Sequence, residues 1–360
     1  MARIELANLA HSYSPRPRGE ADFALKTLNL TFEAGGAYAL LGPSGCGKTT
    51  LLNLMSGLLT PTQGSILFDG TDVTERTSEQ RNIAQVFQFP VVYDTMSVYD
   101  NLAFPLRNRG VSGEALDRRV HQVADMLGLT PTLTQPARRL TADAKQKISL
   151  GRGLVRPSVS AMLFDEPLTV IDPQLKWQLR SQLKQLHRQV ATTMIYVTHD
   201  QTEALTFAKT VIVMLDGRVV QIGTPEELFE RPNHTFVGYF IGSPGMNVLP
   251  AAVEGATAIV AGHSIPLERH YARPASTAQT EIGIRPEFVR LAEDGSGLPV
   301  RVKRIDDVGR YKLARVTLGN LPLNVMVGED ARPSGDTASI KFDRRHLHVY
   351  VDGELFDGRT

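Results

Sequence analysis

Short uninterrupted apolar runs alternate with longer amphipathic ones over the first two thirds of the chain. Ala37 to Leu41, Ile83 to Phe87, Val159 to Phe164, Thr192 to Val197 and Val211 to Leu215 are runs of strand length. Such continuity is the pattern of strands covered on both faces. Between them, Thr50 to Met55, residues 113–128, Leu140 to Arg152 and Leu175 to Gln189 carry apolar residues at helical spacing. Gly128 closes the second of these helices and Thr141 suits the N-cap of the third. Strand and helix alternating across residues 37–230 predict a parallel, doubly wound α/β core. Ahead of it, residues 4–32 read as short strands broken by a polar, proline-containing loop from Ser14 to Asp22, with Tyr13 ending the first strand. Gly64 to Phe68 followed by Asp69-Gly70 predicts a hairpin. From about Gly242 helical periodicity fades and glycines and prolines recur. Short alternating runs follow (Glu281 to Ile284, Val300 to Ile305, Leu313 to Leu318, Leu347 to Val351), predicting a separate all-β domain of small-barrel type. The boundary is expected near 240, giving domains at 1–240 and 241–360.

Chemistry is concentrated where strands end. Gly42 to Thr50 reads GPSGCGKTT and fits G-x-x-x-x-G-K-[ST] through Gly42, Gly47, Lys48 and Thr49, with a strand-like run before it and a helix-like run after it. In that context the backbone N–H groups that follow Pro43, from Ser44 to Thr50 with Gly45 and Cys46 among them, can wrap phosphate oxygens. Lys48 can neutralise the β- and γ-phosphates, the Thr49 hydroxyl can reach Mg²⁺, and the helix points its positive end at the anion. Cys46, beside Lys48 and the loop donors, is expected to have a lowered thiol pKa and raised reactivity. Val159 to Phe164 delivers Asp165 and Glu166 to a strand end, where ligands of open α/β sheets sit. Asp165 suits a Mg²⁺ ligand, and Glu166 suits the group that polarises an attacking water. Gln88 and His199 end the neighbouring apolar runs, so both are expected on the same rim, within reach of a γ-phosphate. From Phe89 to Phe104 the chain is rich in aromatic and apolar residues without strand alternation. Ordinary core and a groove for a partner's helix are both open readings.

Composition narrows the class without changing it. The 360 residues are 42% hydrophobic and 21% charged, with a net charge of +1, so no basic footprint for nucleic acid is present. Residues 241–360 hold 15 Lys+Arg and 15 Asp+Glu, a balance that weakens an oligonucleotide-binding reading of the barrel. Cys46 is the single cysteine, which excludes an internal disulfide. No signal-peptide core opens the sequence, and no apolar run approaches the roughly 20 residues that span a bilayer. The expected compartment is the cytosol, or the cytoplasmic face of the inner membrane if another chain holds the protein there.

Together these motifs resemble the ATP-binding subunits of ABC transporters, over essentially the whole chain. GPSGCGKTT looks like the Walker A motif and MLFDEP at 162–167 like Walker B, with Glu166 as catalytic base. VFQ at 86–88 looks like the Q-loop and VTHD at 197–200 like the H-loop, while Asp172 falls at the D-loop aspartate. NLAFPLR at 101–107, IGSPGMN at 241–247 and GIRPE at 283–287 resemble the maltose-type carbohydrate importers. That resemblance implies a P-loop ATPase domain with a helical subdomain at about 89–157, followed by an OB-like, TOBE-type regulatory barrel. It implies ATP and Mg²⁺ as ligands, with Thr49, Gln88 and Asp165 around the metal, Tyr13 stacking on adenine, and Thr50, Thr141, Asp143 and Asp172 contacting nucleotide. The implied partners are two membrane permease subunits received at 89–104, an extracytoplasmic solute-binding protein and a second ATPase chain.

One motif departs from the family. Where the family has LSGGQ, this chain has Leu140-Thr141-Ala142-Asp143-Ala144. Thr141 keeps a hydroxyl, but Asp143 sets a carboxylate where a glycine would approach the partner's γ-phosphate, unless Lys145 or Lys147 offsets the charge. An asymmetric pair with a different ATPase chain is therefore expected ahead of a homodimer. This departure, with Leu168-Thr169-Val170-Ile171 before Asp172 and WQLR at 177–180, resembles the ATPase pair of bacterial glycerol importers. Glycerol is the favoured solute; glycerol 3-phosphate, another sugar, or a low-activity regulatory subunit are the alternatives. A DNA-repair ATPase would set a long coiled coil between cradle and signature, whereas Lys48 and Leu140 are 92 positions apart and no heptads intervene.

Overall fold

The computed structural model describes residues 2–156, 158–169, 171–190, 192–275, 277–292, 296–309, 311–328 and 336–358; Val170 of the departing run lies outside them. The chain divides into two compact units, 1–222 and 223–360. In the first, strands β1 (Ile4–His11), β2 (Leu25–Phe32) and β3 (Ala37–Leu41) precede helix α1 (Lys48–Ser56). Then come β4 (Gln63–Phe68), β5 (Thr71–Asp72), β6 (Ile83–Val86), α2 (Val98–Arg107), α3 (Gly113–Met126) and α4 (Ala142–Leu154). The unit continues through β7 (Ala161–Asp165), α5 (Pro173–Val190), β8 (Thr193–Thr198), α6 (Gln201–Phe207), β9 (Thr210–Leu215) and β10 (Arg218–Gly223).

The five apolar runs become the central strands. Their sheet runs β10-β9-β3-β8-β7-β6, and the pairs β3/β8, β3/β9, β7/β8 and β6/β7 are parallel. Every residue of β3, β7 and β8 is buried, as expected of strands covered on both faces. Parallel strands share one C-terminal rim, so the segments after β3, β6, β7 and β8 gather there. A second sheet, β2-β1-β4-β5, is antiparallel. The β4/β5 hairpin turns through Asp69 (φ 49°) and Gly70 (φ 76°), the left-handed pair that a two-residue hairpin requires. Between the sheets, Leu51, Leu52, Leu54 and Met55 of α1 pack with Ile4, Leu9, Leu40, Leu163 and Val197 in one core. Arg81 closes the end of α1. Its buried guanidinium donates to the Leu54 (2.6 Å) and Met55 (3.0 Å) carbonyls, where positive charge suits the helix dipole.

Helices α2, α3 and α4 follow the 89–97 segment. The Thr141 hydroxyl accepts from Ala144 N at 3.3 Å, making it the N-cap of α4 that its position predicts. These helices approach closely at Gly151, where a Cβ would lie 2.5 Å from Leu102 Cδ2 and 3.0 Å from Leu127 Cδ1. Among the described residues no helix is long and apolar enough to cross a membrane.

Two short helices lead into the strands of the second compact unit. Helices α7 (Pro225–Glu230) and α8 (Thr235–Phe240) belong to it, so its start is 223 where composition shifts only near 241. The reason is Arg285 of GIRPE, a buried guanidinium. It donates to the carbonyls of Phe229 (2.6 Å), Gly238 (3.3 Å) and Ile241, and lies 4.0 Å over the Phe229 ring. Burial lowers its pKa to about 10. His348 adds a bond from its Nε2 to the Glu230 carbonyl at 2.8 Å. The strands form a four-stranded sheet in the order 247–250, 280–284, 348–351, 354–355, a 252–260/263–271 hairpin, and a five-stranded sheet in the order 289–291, 337–342, 298–307, 312–318, 321–327. They enclose one core that includes Leu249, Val260, Ile282, Val316, Val325 and Val349. This is the all-β unit that the alternating runs predict.

Candidate functional site

The cradle forms where two glycines of the loop after β3 pass too close to neighbouring backbone for a side chain. A Cβ at Gly42 would fall 2.3 Å from the Met214 carbonyl oxygen, and Gly47 caps α1 at φ 98° with the Ala24 carbonyl 2.8 Å from a Cβ position. Both positions therefore require glycine. Lys48, the first residue of α1, is buried and its ammonium donates to the Gly42 and Pro43 carbonyls, each at 2.8 Å. That holds the charge over the loop. Ser44 and Gly45 are exposed at its lip, and the exposed Thr49 hydroxyl donates to Asp165 Oδ1 at 3.1 Å. Tyr13 reaches the same helix. Its hydroxyl lies 3.0 Å from Thr50 Oγ1 and its ring stands edge-on to His11, while 63% of the residue stays exposed as an open aromatic face.

Cys46 departs from expectation. It is the buried side chain of the loop, packed in the core, and burial raises its thiol pKa although Lys48 at 3.7 Å opposes the shift. Desolvation outweighs the neighbouring charge, so the residue contributes backbone and not a reactive thiolate.

Beyond β7 the acids divide. Asp165 is buried under Thr49, and desolvation raises its pKa; the Thr49 hydrogen bond opposes this, and the nearby Glu166 charge adds to it. Glu166 turns into the left-handed region (φ 45°), which ends the strand and swings its carboxylate along the rim. Three groups converge on its Oε2: Thr169 Oγ1 donates at 3.3 Å and Gln88 Nε2 at 3.4 Å, and His199 Nδ1 lies 3.1 Å away. Thus Gln88, Glu166 and His199, from three strand ends, do meet, as do Thr49 and Asp165. Thr169 was not singled out in the sequence; only its place three residues after Glu166 hints at it. Gln146 was also missed. Fully buried on α4, it donates to the carbonyls of Phe87 (3.2 Å) and Pro167 (2.8 Å), beside Gln88 and Glu166.

Thr141, Asp143 and Asp172 make no hydrogen bond to the cradle among the described residues. Thr141 caps α4, and Asp172 accepts from Gln174 N at 2.9 Å at the start of α5. Asp143 Oδ2 lies 3.5 Å from Lys147, one turn on, whereas Lys145 pairs with Asp94 at 2.7 Å. Of the two lysines that could offset Asp143, Lys147 does so. In the 89–104 segment Phe89 is 71% exposed, whereas Tyr93 lies against Phe104 and under Arg152. A cleft of about 270 Å³ behind it is lined by Val91, Phe104, Pro105, Arg109 and Arg152.

A phosphate cradle at the head of a central parallel strand, with paired acids and a histidine on the neighbouring strand ends, defines a P-loop nucleotide hydrolase. Family models agree: residues 25–169 match the ABC transporter ATPase, 242–289 the MalK OB fold domain and 282–350 the TOBE domain. The sn-glycerol-3-phosphate import ATP-binding protein UgpC of Psychromonas ingrahamii is 36% identical over 97% of this chain and 94% of its own. The protein of that name from Escherichia coli O1:K1 / APEC is 38% identical over 100% and 99%. Among solved structures, cbiO1 from Clostridium perfringens, part of the ABC transporter complex cbiONQ, covers 63% of this chain and 90% of its own at 27% identity and a TM-score of 0.57. A dimeric post-hydrolysis ATP-binding cassette bound to ADP and phosphate covers 61% and 98%, at 25% identity and a TM-score of 0.55. This chain belongs to the ATP-binding subunits of ABC importers of the maltose type, which are ATPases.

Proposed function

We propose that the rim after β3, β6, β7 and β8 is where this chain hydrolyses ATP, with Glu166 as general base; the convergence of Gln88, Thr169 and His199 on Glu166 Oε2 carries the reading. With Oε2 taken up by the Gln88 and Thr169 donors and His199 beside it, Oε1 is the oxygen that accepts a proton from the attacking water, and Gln88 lies beside it to orient that water. With His199 Nδ1 3.1 Å from Glu166 Oε2, Nε2 is the ring nitrogen left to meet the γ-phosphate. Lys48 and the loop amides hold the phosphates, and the open face of Tyr13 takes the adenine ring. Thr49 hydroxyl, Asp165 carboxylate and Gln88 amide form an all-oxygen set that fits Mg²⁺, a hard cation held by one or two carboxylates plus phosphate oxygens. When bound, Mg²⁺ neutralises charge on the β- and γ-oxygens. Glu166→Gln is expected to keep ATP binding while lowering kcat by about 100-fold or more. Turnover close to wild type in that variant removes Glu166 as the base.

The transported solute is built on glycerol. Free glycerol is supported by LTADA, by the run before Asp172 and by WQLR; its 3-phosphate is supported by the names of the relatives. Uptake of each labelled solute, with and without this chain's gene, separates the two. The partners are two membrane permeases met at 89–104, an extracytoplasmic binding protein and a second ATPase, with the complex on the cytoplasmic face of the membrane. A non-identical second ATPase is favoured because Asp143 fills a glycine position, although Lys147 reduces the repulsion it brings to a facing γ-phosphate. If this chain with its permease alone turns over as fast as after Asp143→Gly, the pair is a homodimer.

A further inference from the structure

His199 stands on a two-residue turn between β8 and α6, and Glu203 holds that turn from both sides, by its carboxylate on one and its backbone N–H on the other. The Thr198 hydroxyl donates to Glu203 Oε2 at 2.9 Å, and the Glu203 backbone N–H donates to Asp200 Oδ1 at 3.1 Å. Asp200 N in turn donates to Thr198 Oγ1 at 3.0 Å, closing a ring of bonds around the backbone that carries His199. The Glu203 carboxylate is 4% exposed, an unusual burial for a carboxylate, and it accepts a second bond from Tyr196 at 3.1 Å. Burial pushes the Tyr196 pKa well up, so that hydroxyl stays a donor. The other oxygen, Oε1, lies 3.7 Å from Lys176 on α5. Lys176 sits in the first turn of that helix, where its own N–H donates to the Asp172 carbonyl at 2.9 Å.

We infer that Glu203 is a positioning residue for His199: its carboxylate fixes the turn that aims the imidazole at Glu166 and the γ-phosphate, and through Lys176 it ties that aim to the Asp172 start of α5. The physical case is that desolvating a carboxylate is costly unless each oxygen is satisfied, and here the satisfying groups are Thr198 beside His199, Tyr196 on the same strand and Lys176 on the helix that follows Asp172. The inference rests on His199 acting in turnover, so the test contains both.

ATP turnover is measured on the intact chain with its permease, in wild type, Glu203→Gln, Thr198→Val, His199→Ala and the Glu203→Gln/His199→Ala double variant, per folded molecule as judged by circular dichroism. Glu203→Gln and Thr198→Val are each expected to lower kcat about tenfold with KM for ATP within about twofold, the signature of a misaimed group and not of lost binding. In the His199→Ala background, Glu203→Gln is expected to cost no further turnover, because there is no imidazole left to aim. Thr198→Val removes a single hydroxyl, so it serves if Glu203→Gln fails to fold. Wild-type kcat in both single variants overturns the positioning role, as does a loss that recurs undiminished without His199. Unchanged turnover in His199→Ala alone instead overturns the reading of the site on which this inference rests.

Discussion

Cys46 and Lys48 are two residues apart, and their proximity in sequence suggested an activated thiol; the fold gives the opposite. The Cys46 side chain turns into the core beneath the loop, and the cost of desolvating a thiolate there exceeds what the Lys48 charge returns. Iodoacetamide is therefore expected to modify the native protein at least about tenfold more slowly than an exposed thiol, with full reactivity restored in denaturant. Fast native labelling, read by mass spectrometry, contradicts this placement. The same contrast separates what the sequence made legible from what it did not. Gly42, Lys48, Thr49, Glu166 and His199 could be singled out because local spacing and the place where a strand stops mark them. The raised pKa of Cys46, the contact of Thr169 with Glu166 and the choice of Lys147 over Lys145 depend on what the rest of the chain brings near. Lys145 is drawn away by Asp94, far back in the sequence.

Helix α4 is the element on which most depends. It begins at Thr141, carries Gln146 between the Gln88 and Glu166 segments, and meets α2 and α3 at Gly151. Its start was legible, since a capping hydroxyl ahead of a periodic run is a local pattern. Its glycine contact was not, because close packing is a property of two helices. Gly151→Val is expected to overpack this junction and cost about 1–3 kcal/mol, seen as a lower urea midpoint at unchanged slope. A midpoint equal to wild type means the helices stand further apart. In the second unit, helix α7 is tied to the barrel by His348. Burial holds that imidazole below its ordinary 6.5, although the hydrogen bond to Glu230 pulls the other way. A folded pKa below the unfolded one gives stability that is complete above about 6.5 and is lost as the pH falls through the folded value. Amide exchange in strand 348–351 should thus accelerate between neutral pH and pH 5 beyond its intrinsic change, and His348→Gln should flatten that dependence.

At the scale of the molecule, the strand-and-helix alternation predicted the central sheet, and the change of texture predicted a second, all-β unit. Helices α7 and α8 group with the second compact unit although they precede the change of texture near 241, and Arg285, some fifty residues on, is bonded to their carbonyls. Coupling to a permease is the property that belongs to the assembled transporter. Tyr93 is engaged inside the chain by Phe104 and Arg152, so the exposed Phe89 is the cleaner probe. Phe89→Glu is expected to lower solute uptake about tenfold while leaving basal ATPase within about twofold, as loss of an aromatic anchor at an interface does. Equal uptake would make that surface free of partners. Finally, the chain has one tryptophan, Trp177, placed on α5 five residues after Asp172 and 66% exposed. Its emission therefore comes from one site facing water. Any subunit or nucleotide-driven closure that covers α5 should shift that light to shorter wavelength, so assembly can be timed in a stopped-flow cell without attaching a dye.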